Sequence, residues 1–334
     1  MMAYRKVSIV GTGMYVPERV VTNHDLAKVM ETSDEWIQQR SGIKERRHVE
    51  PGISTCDLAH EASKRALEAA GCSPDQLDMI IVATLSPDHY FPGTSAFLQH
   101  RLGLETTPAM DIRCQCSGFL YALSIGQHFV SGGQYQRVLI CGAECHSPAL
   151  DMTTRGRDVA VLFGDGAGAA VLAPSEDENR GILSVHLHAQ GEFAKRLWIE
   201  APSMTNRPYM THEMIDDGRI FPKMEGRLVY KHAVARLPEV IQEALGANQL
   251  QASDVDLFVF HQANVRINEH AAQVLGIPAE KLFHNIDRYG NCSAASIPMC
   301  LDECARSGRL RPGQLVCLAA FGSGFTWACA LVRW

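Results

Sequence analysis

No stretch of this 334-residue chain approaches the run of ~18 apolar residues that a membrane-spanning helix needs. Positive charge is not in excess either: 31 Lys and Arg stand against 37 Asp and Glu, a net of −6. That balance gives no global attraction to nucleic acid or to an anionic membrane, so neither is expected as a partner. Low-complexity tracts are missing, and so is any Cys-x2-Cys spacing among the 11 cysteines. Cys141-x3-Cys145 and Cys300-x3-Cys304 come nearest, but Cys141 ends an apolar, strand-like run. These thiols read as small buried hydrophobes, and no metal is expected. Arg5-Lys6-Val7-Ser8-Ile9-Val10-Gly11-Thr12-Gly13 reads as a strand and turn rather than a secretory signal. A cytoplasmic protein with reduced cysteines is therefore expected.

What is present suits a large globular core, with 46% apolar and 20% charged residues. Short apolar runs at Val7–Val10, Met79–Thr84, Arg137–Gly142, Gly168–Leu172, Leu257–Phe260, Gln314–Ala320 and Trp327–Trp334 predict strands. Helical periodicity predicts helices at Thr55–Ala70, Gly118–Phe129, Gly226–Leu245 and Ile267–Leu275. The alternation argues for parallel-rich α/β sheets covered by helices.

Fragments of the first half return in order in the second. Leu77–Val82 is echoed by Val255–Phe260, and Asp111–Ser117 by Asp287–Ser293, which aligns Cys116 with Cys292. Phe163-Gly164-Asp165-Gly166 is echoed by Phe321-Gly322-Ser323-Gly324. Spacings near half the chain point to two similar α/β units rather than a solenoid. The expected division is residues 1–172, a connecting and cleft-covering region at 173–222 rich in proline, and residues 223–334.

Three residues gather at the ends of the repeated elements. Cys116 lies where a strand gives way to a helix, a place that favours thiolate and lowers a thiol pKa. His261 follows the strand Leu257–Phe260, where α/β sheets bind ligands. Asn291 sits among Gly290 and small residues that allow close approach. Lys223, Arg227 and Lys231 form one basic stripe if their segment is helical, and Ser33 or Asp34 caps a short helix through Trp36 and Arg40.

Taken together, Thr32-Ser33-Asp34-Glu35-Trp36-Ile37, Cys116-Ser117-Gly118-Phe119, Phe163–Ala169, His261-Gln262-Ala263-Asn264, Tyr289-Gly290-Asn291 with Ser293–Ser296, and Phe321-Gly322 with Gly324–Trp327 make the chain resemble a known family. That family is the β-ketoacyl-acyl carrier protein synthases III of the thiolase superfamily, and the resemblance runs from Val7 to Trp334.

It implies a thiolase-like fold, two pseudo-symmetric α/β halves in a five-layered αβαβα arrangement, and a cofactor-free condensing acyltransferase. Cys116 would take the acyl group from acyl-CoA, with the backbone N–H groups of Cys116 and Ser323 as oxyanion hole. His261 and Asn291 would polarise the thioester of malonyl-acyl carrier protein as it loses CO₂. The resemblance further implies that Trp36 and Arg155 flank the CoA adenine, Arg40 lies near its phosphates and Asn264 beside the catalytic trio. Arg266, Lys231, Arg227 and Lys223 would dock the acidic carrier protein. Phe321 would line the acyl pocket, and Phe91 would reach that of the other subunit of a homodimer. Ser323, Cys114, Gln273 and Val274 depart from the family pattern. A related condensing or acyl-transferring enzyme of secondary metabolism, using a longer, aromatic or unusual primer, is the alternative.

A papain-like protease shares the Cys…His…Asn order but carries Cys-Gly-Ser-Cys-Trp at its nucleophile. The sequence here is Cys114-Gln115-Cys116-Ser117-Gly118. A biosynthetic thiolase would need a second cysteine in the loop Phe321–Phe325, which has none.

Overall fold

In the computed structural model, which describes residues 5–334, two five-stranded sheets carry the chain. The first contains β1 (Val7–Tyr15), β2 (Met79–Ala83), β3 (Ala109–Ile112), β4 (Val138–Glu144) and β5 (Gly166–Pro174). The second contains β6 (Gly181–Ala189), β7 (Leu257–Phe260), β8 (Leu282–Phe283), β9 (Leu315–Gly322) and β10 (Thr326–Arg333). Their orders are β3-β2-β4-β5-β1 and β8-β7-β9-β10-β6, the same topology twice. In each sheet the first three strands run parallel and the last two pair antiparallel.

The principal helices are α1 (Asp34–Ser41), α2 (Thr55–Ala69), α3 (Gly118–Ser131), α4 (Gly226–Ala247), α5 (Val265–Leu275) and α6 (Ser296–Arg306). Helix α2 starts where Ser54 and Asp57 close a capping box, and its Leu58, Ala59, Ala62 and Ala66 are buried on the outer face of the first sheet. Helix α4 covers the second sheet in the same way. Between the sheets lie α3 and α6, so α3 buries Phe119, Leu120, Ala122 and Leu123 rather than a single stripe. Helix, sheet, helices, sheet, helix: the layering is αβαβα.

Strand β6 falls inside the 173–222 segment set apart as a connection, yet it is the edge of the second sheet. Gly181-Ile182-Leu183-Ser184-Val185-His186-Leu187-His188-Ala189 reads poorly as a core strand because an edge strand alternates apolar and polar residues. The second sheet therefore begins at Gly181. The rest of the segment contributes a short ribbon, Leu197–Ile199 paired with Pro222–Met224, beside the cleft.

Strand register and the turns together decide which residues are equivalent between the halves. Met79 lies opposite Val138 as Leu257 lies opposite Val316. That registration matches Ala83 with His261 but does not carry through the third strand, where Ile80 pairs with Ala109 and Phe258 with Leu282; it is the turns before α3 and α6 that match Cys114 with Cys292 and Cys116 with Ala294. The turns Gln115–Ser117 and Ser293–Ala295 agree, each opening on a non-glycine residue of positive φ, 43° and 44°. Aligning Cys116 with Cys292 is thus two residues out; the paired thiols of Cys114-Gln115-Cys116 made the wrong register look right. Phe321-Gly322 closes β9 as Ala143-Glu144 closes β4, so it is not the structural counterpart of Phe163-Gly164, which precedes β5.

Candidate active site

Cys116 occupies the turn between β3 and α3, buried at 7% exposure. Gly322, at the end of β9, lies against it: a Cβ there would meet Cys116 Cβ at 2.7 Å and Sγ at 3.2 Å. The close approach brings the next peptide to the sulfur, so the N–H groups of Ser323 and of Cys116 itself both act to lower the thiol pKa. Burial outweighs them and pushes it up to about 11, with the Glu144 carboxylate adding to the rise. The thiolate-favouring helix terminus expected from sequence does not overcome this dry setting, and Cys116 rests as a thiol.

Asn291 is fixed by its own backbone. Its N–H donates to Leu162 O at 2.8 Å, and its carbonyl accepts from Gly164 N–H at 3.1 Å. Its Oδ1 accepts from Ser293 N–H at 2.8 Å, which leaves Nδ2 as the donor available to the cavity.

His261 continues from β7, where its N–H donates to Ala319 O at 2.8 Å. Nδ1 lies 2.6 Å from Ser296 Oγ, and that hydroxyl is 2.9 Å from Ser293 O. That hydroxyl donates to Ser293 O; in the tautomer with the ring proton on Nε2 it turns toward Nδ1 instead, and Nε2 can then donate into the cavity. Nε2 is buried with no partner among the described residues. Burial, and next the neighbouring His146, lower the ring's pKa to about 3, so the imidazole is neutral around pH 7.

All three side chains line one cavity of about 770 Å³, counting its open mouth. Its apolar wall is made by Leu197, Met224, Val229, Ala233, Leu237 and Phe321. The mouth widens into a recess lined by Trp36, Arg40, Arg227, Tyr230, Asn264 and Arg266. Asn264 caps α5 and donates from Nδ2 to Arg40 O at 2.8 Å, clamping α1 to the mouth.

Several sequence expectations land elsewhere. Lys223 lies in the strand Pro222–Met224, before α4 begins, and pairs with Glu200 at 2.9 Å; only Arg227 and Lys231 share a helical face. Arg155 is held by Asp151 at 2.6 Å and by Asp216 O, and does not line the recess. The guanidinium groups over the Trp36 ring belong to Arg40, at 4.2 Å, and to Arg157, at 5.1 Å. Phe91 is 81% exposed. The Ser323 hydroxyl donates to Leu197 O.

Three residues of the site escaped the sequence reading. Ser293 and Ser296 looked like mere small residues after Asn291. Glu144 is fully buried at the end of β4, where it accepts from Ser86 Oγ at 2.6 Å, Thr84 Oγ1 at 3.2 Å and Ala294 N–H at 3.4 Å. A lone acid closing the run Val138-Leu139-Ile140-Cys141-Gly142-Ala143-Glu144 was the available signal. Among the described residues no cluster of three His, Cys, Asp or Glu side chains is placed to hold a metal, and no helix is long and apolar enough to cross a membrane.

Known proteins share this arrangement. Residues 110–191 match the family described as 3-oxoacyl-[acyl-carrier-protein (ACP)] synthase III, and residues 245–334 match its C-terminal counterpart. A beta-ketoacyl-[acyl-carrier-protein] synthase III of Paramagnetospirillum magneticum is 48% identical over 97% of this chain and 98% of its own. One from Xanthomonas campestris pv. campestris is 46% identical over 98% of each. The crystal structure of 3-oxoacyl-[acyl-carrier-protein] synthase III from Aquifex aeolicus superposes with a TM-score of 0.90 at 41% identity, covering 98% of this chain and all of that one. With near-complete coverage, identity of this order and one shared topology, the chain belongs to the β-ketoacyl-[acyl-carrier-protein] synthase III family.

Proposed function

We propose that this protein condenses an acyl-CoA primer with malonyl-acyl carrier protein through an acyl-Cys116 intermediate, the step that initiates fatty-acid synthesis. One observation carries the reading: the Cys116 sulfur lies against two converging backbone N–H groups, in the cavity that also holds Asn291 and a neutral His261.

Attack of Cys116 on the acyl-CoA thioester places negative charge on the carbonyl oxygen, which the N–H groups of Cys116 and Ser323 receive. The C–S bond to CoA breaks, and the proton from Cys116 leaves on the CoA sulfur. Malonyl-acyl carrier protein then enters. His261 Nε2–H and Asn291 Nδ2–H donate to its thioester oxygen while the carboxylate departs as CO₂. These aimed donors stabilise the enolate in a water-poor setting, where they are strongest. The enolate carbon bonds to the acyl carbon, Cys116 leaves as thiolate, and one proton from water restores the thiol. Both thioesters are substrates, and the sequence of steps asks for no resident cofactor.

The recess at the mouth suits the CoA nucleotide. Trp36 with Arg40, which both line it, offers an aromatic face and a cation for adenine and phosphates. Arg266, Arg227 and Lys231 offer positive charge to an acidic carrier protein, and Lys223, already paired with Glu200, adds less. A homodimer in which Phe91 enters the partner's acyl pocket gives that exposed ring a role. The protein works in the cytoplasm.

Intact-mass spectrometry across a panel of acyl-CoAs is the test. One acyl group should appear on the wild type and none on Cys116→Ala. An adduct that persists in Cys116→Ala, or no adduct with any primer, would overturn the assignment.

A further inference from the structure

One hydroxyl beside the nucleophile has no part in the steps above. Ser293 is fully buried and its Oγ–H donates to Cys116 Sγ at 3.6 Å. Its backbone sits at φ 44°, in the left-handed region that side chains other than glycine rarely adopt. Such strain persists where the surroundings over-determine a residue. Here they do: Ser293 N–H holds Asn291 Oδ1 at 2.8 Å, and Ser293 O lies 2.9 Å from the Ser296 hydroxyl that faces His261. The equivalent residue of the first half is Gln115, which has the same strained turn at φ 43°. The strained turn is thus common to both copies, and only the second sets a small hydroxyl against Cys116.

The charge around the sulfur says what this hydroxyl is for. The Glu144 carboxylate disfavours a thiolate there, and the donors that favour one are the Ser293 hydroxyl and the N–H groups of Cys116 and Ser323. Those two N–H groups are the oxyanion hole. Once an acyl oxygen occupies them, they are no longer available to the sulfur. When the C–S bond breaks in the condensation and its electron pair returns to Cys116, the Ser293 hydroxyl is the donor that remains.

We propose that Ser293 is a further catalytic residue, whose hydroxyl hydrogen-bonds the Cys116 sulfur as it gains charge in the attack and again as it leaves in the condensation. Ser293 keeps its own proton throughout. The inference rests on Cys116 being the nucleophile of the reaction proposed above.

The experiment follows alkylation of Cys116 by iodoacetamide against pH, read by peptide mass, in the full-length wild type, Ser293→Ala and Ser293→Gly. Both variants lack the hydroxyl, and glycine also accepts the positive φ without strain. Both titrations should move up by about one pH unit, a roughly tenfold slower reaction near neutrality, as expected for a lost hydrogen bond to a charged group. Profiles that superimpose on the wild type would overturn the proposal. So would a shift in Ser293→Ala that Ser293→Gly does not share, since that marks backbone strain. If Ser293→Ala does not fold, Ser293→Gly alone decides. Alkylation needs no acyl-CoA, so absence of an acyl-enzyme would count against the condensation and leave this result readable.

Discussion

Replacing Asn291 by aspartate tests the division of labour between the two chemical steps. Asn291 uses its two side-chain ends differently: Oδ1 accepts from Ser293 N–H at 2.8 Å, and Nδ2 is left for the cavity. Asn291→Asp keeps an acceptor for Ser293 and turns the cavity-facing donor into an acceptor. Removing one oxyanion donor costs ~2.7–4 kcal/mol, or 10²–10³-fold in rate, and a carboxylate adds repulsion of the enolate. Decarboxylation of malonyl-acyl carrier protein should therefore fall at least ~10²-fold near neutral pH, while acylation of Cys116, which uses other donors, stays within a few-fold of the wild type. At 5% exposure, burial raises the pKa of the introduced carboxyl. Decarboxylation should then recover as pH falls and that group becomes an O–H donor.

Asn291→Ala has no such recovery and leaves Ser293 N–H buried without its partner. That costs ~1–3 kcal/mol, or about 1–2 °C in Tm per kcal/mol for a chain of this length. Single-turnover acylation and ¹⁴CO₂ release, each across pH 5–8, separate the outcomes. Equal loss of acylation and decarboxylation in Asn291→Asp would refute the reasoning, as would decarboxylation that stays unchanged near neutrality.

Gly322→Ala brings a methyl to 2.7 Å from Cys116 Cβ and displaces the oxyanion turn, so acylation should drop at least ~10²-fold; a near-normal acylation rate would show that the turn tolerates the shift. The buried His261 titrates near 3 and His284 near 4, against 6.5 for an unperturbed ring, so the unfolded chain takes up protons that the folded one refuses. Stability they provide is full above about 6.5 and is lost as pH falls, by roughly 2 kcal/mol per ring at pH 5. Melting temperatures should fall from pH 7 to pH 5, and His261→Gln should show a smaller fall; identical falls would remove His261 from the explanation.

Local chemistry carried much of this far in the sequence. Strands β2 and β7 are buried on both faces, so their apolar runs stood out, and helix α2 announced itself through the helical apolar period of Thr55–Ala70. Strand β6 hid because it is an edge strand whose histidines and serine alternate with apolar residues. Arg155 and Arg157 lie two residues apart, and their different surroundings are not written in the sequence. Only folding turns one toward Asp151 and the other over the indole.

By itself the sequence determined that the chain is a doubled α/β unit of the β-ketoacyl-[acyl-carrier-protein] synthase III family, because periodicity and ordered motifs are local properties. It could not determine which residues of the two copies are equivalent. That is a matter of which turns coincide in space, and the turns before α3 and α6 match Cys116 with Ala294 rather than Cys292. Nor could it give the state of the nucleophile. Desolvation and a buried Glu144 raise the thiol's pKa, and the groups that oppose them, Ser293 and the Ser323 peptide, lie far along the chain from Cys116. Electrostatics at a buried site depend on distances in space, and only the packing of the two halves sets those.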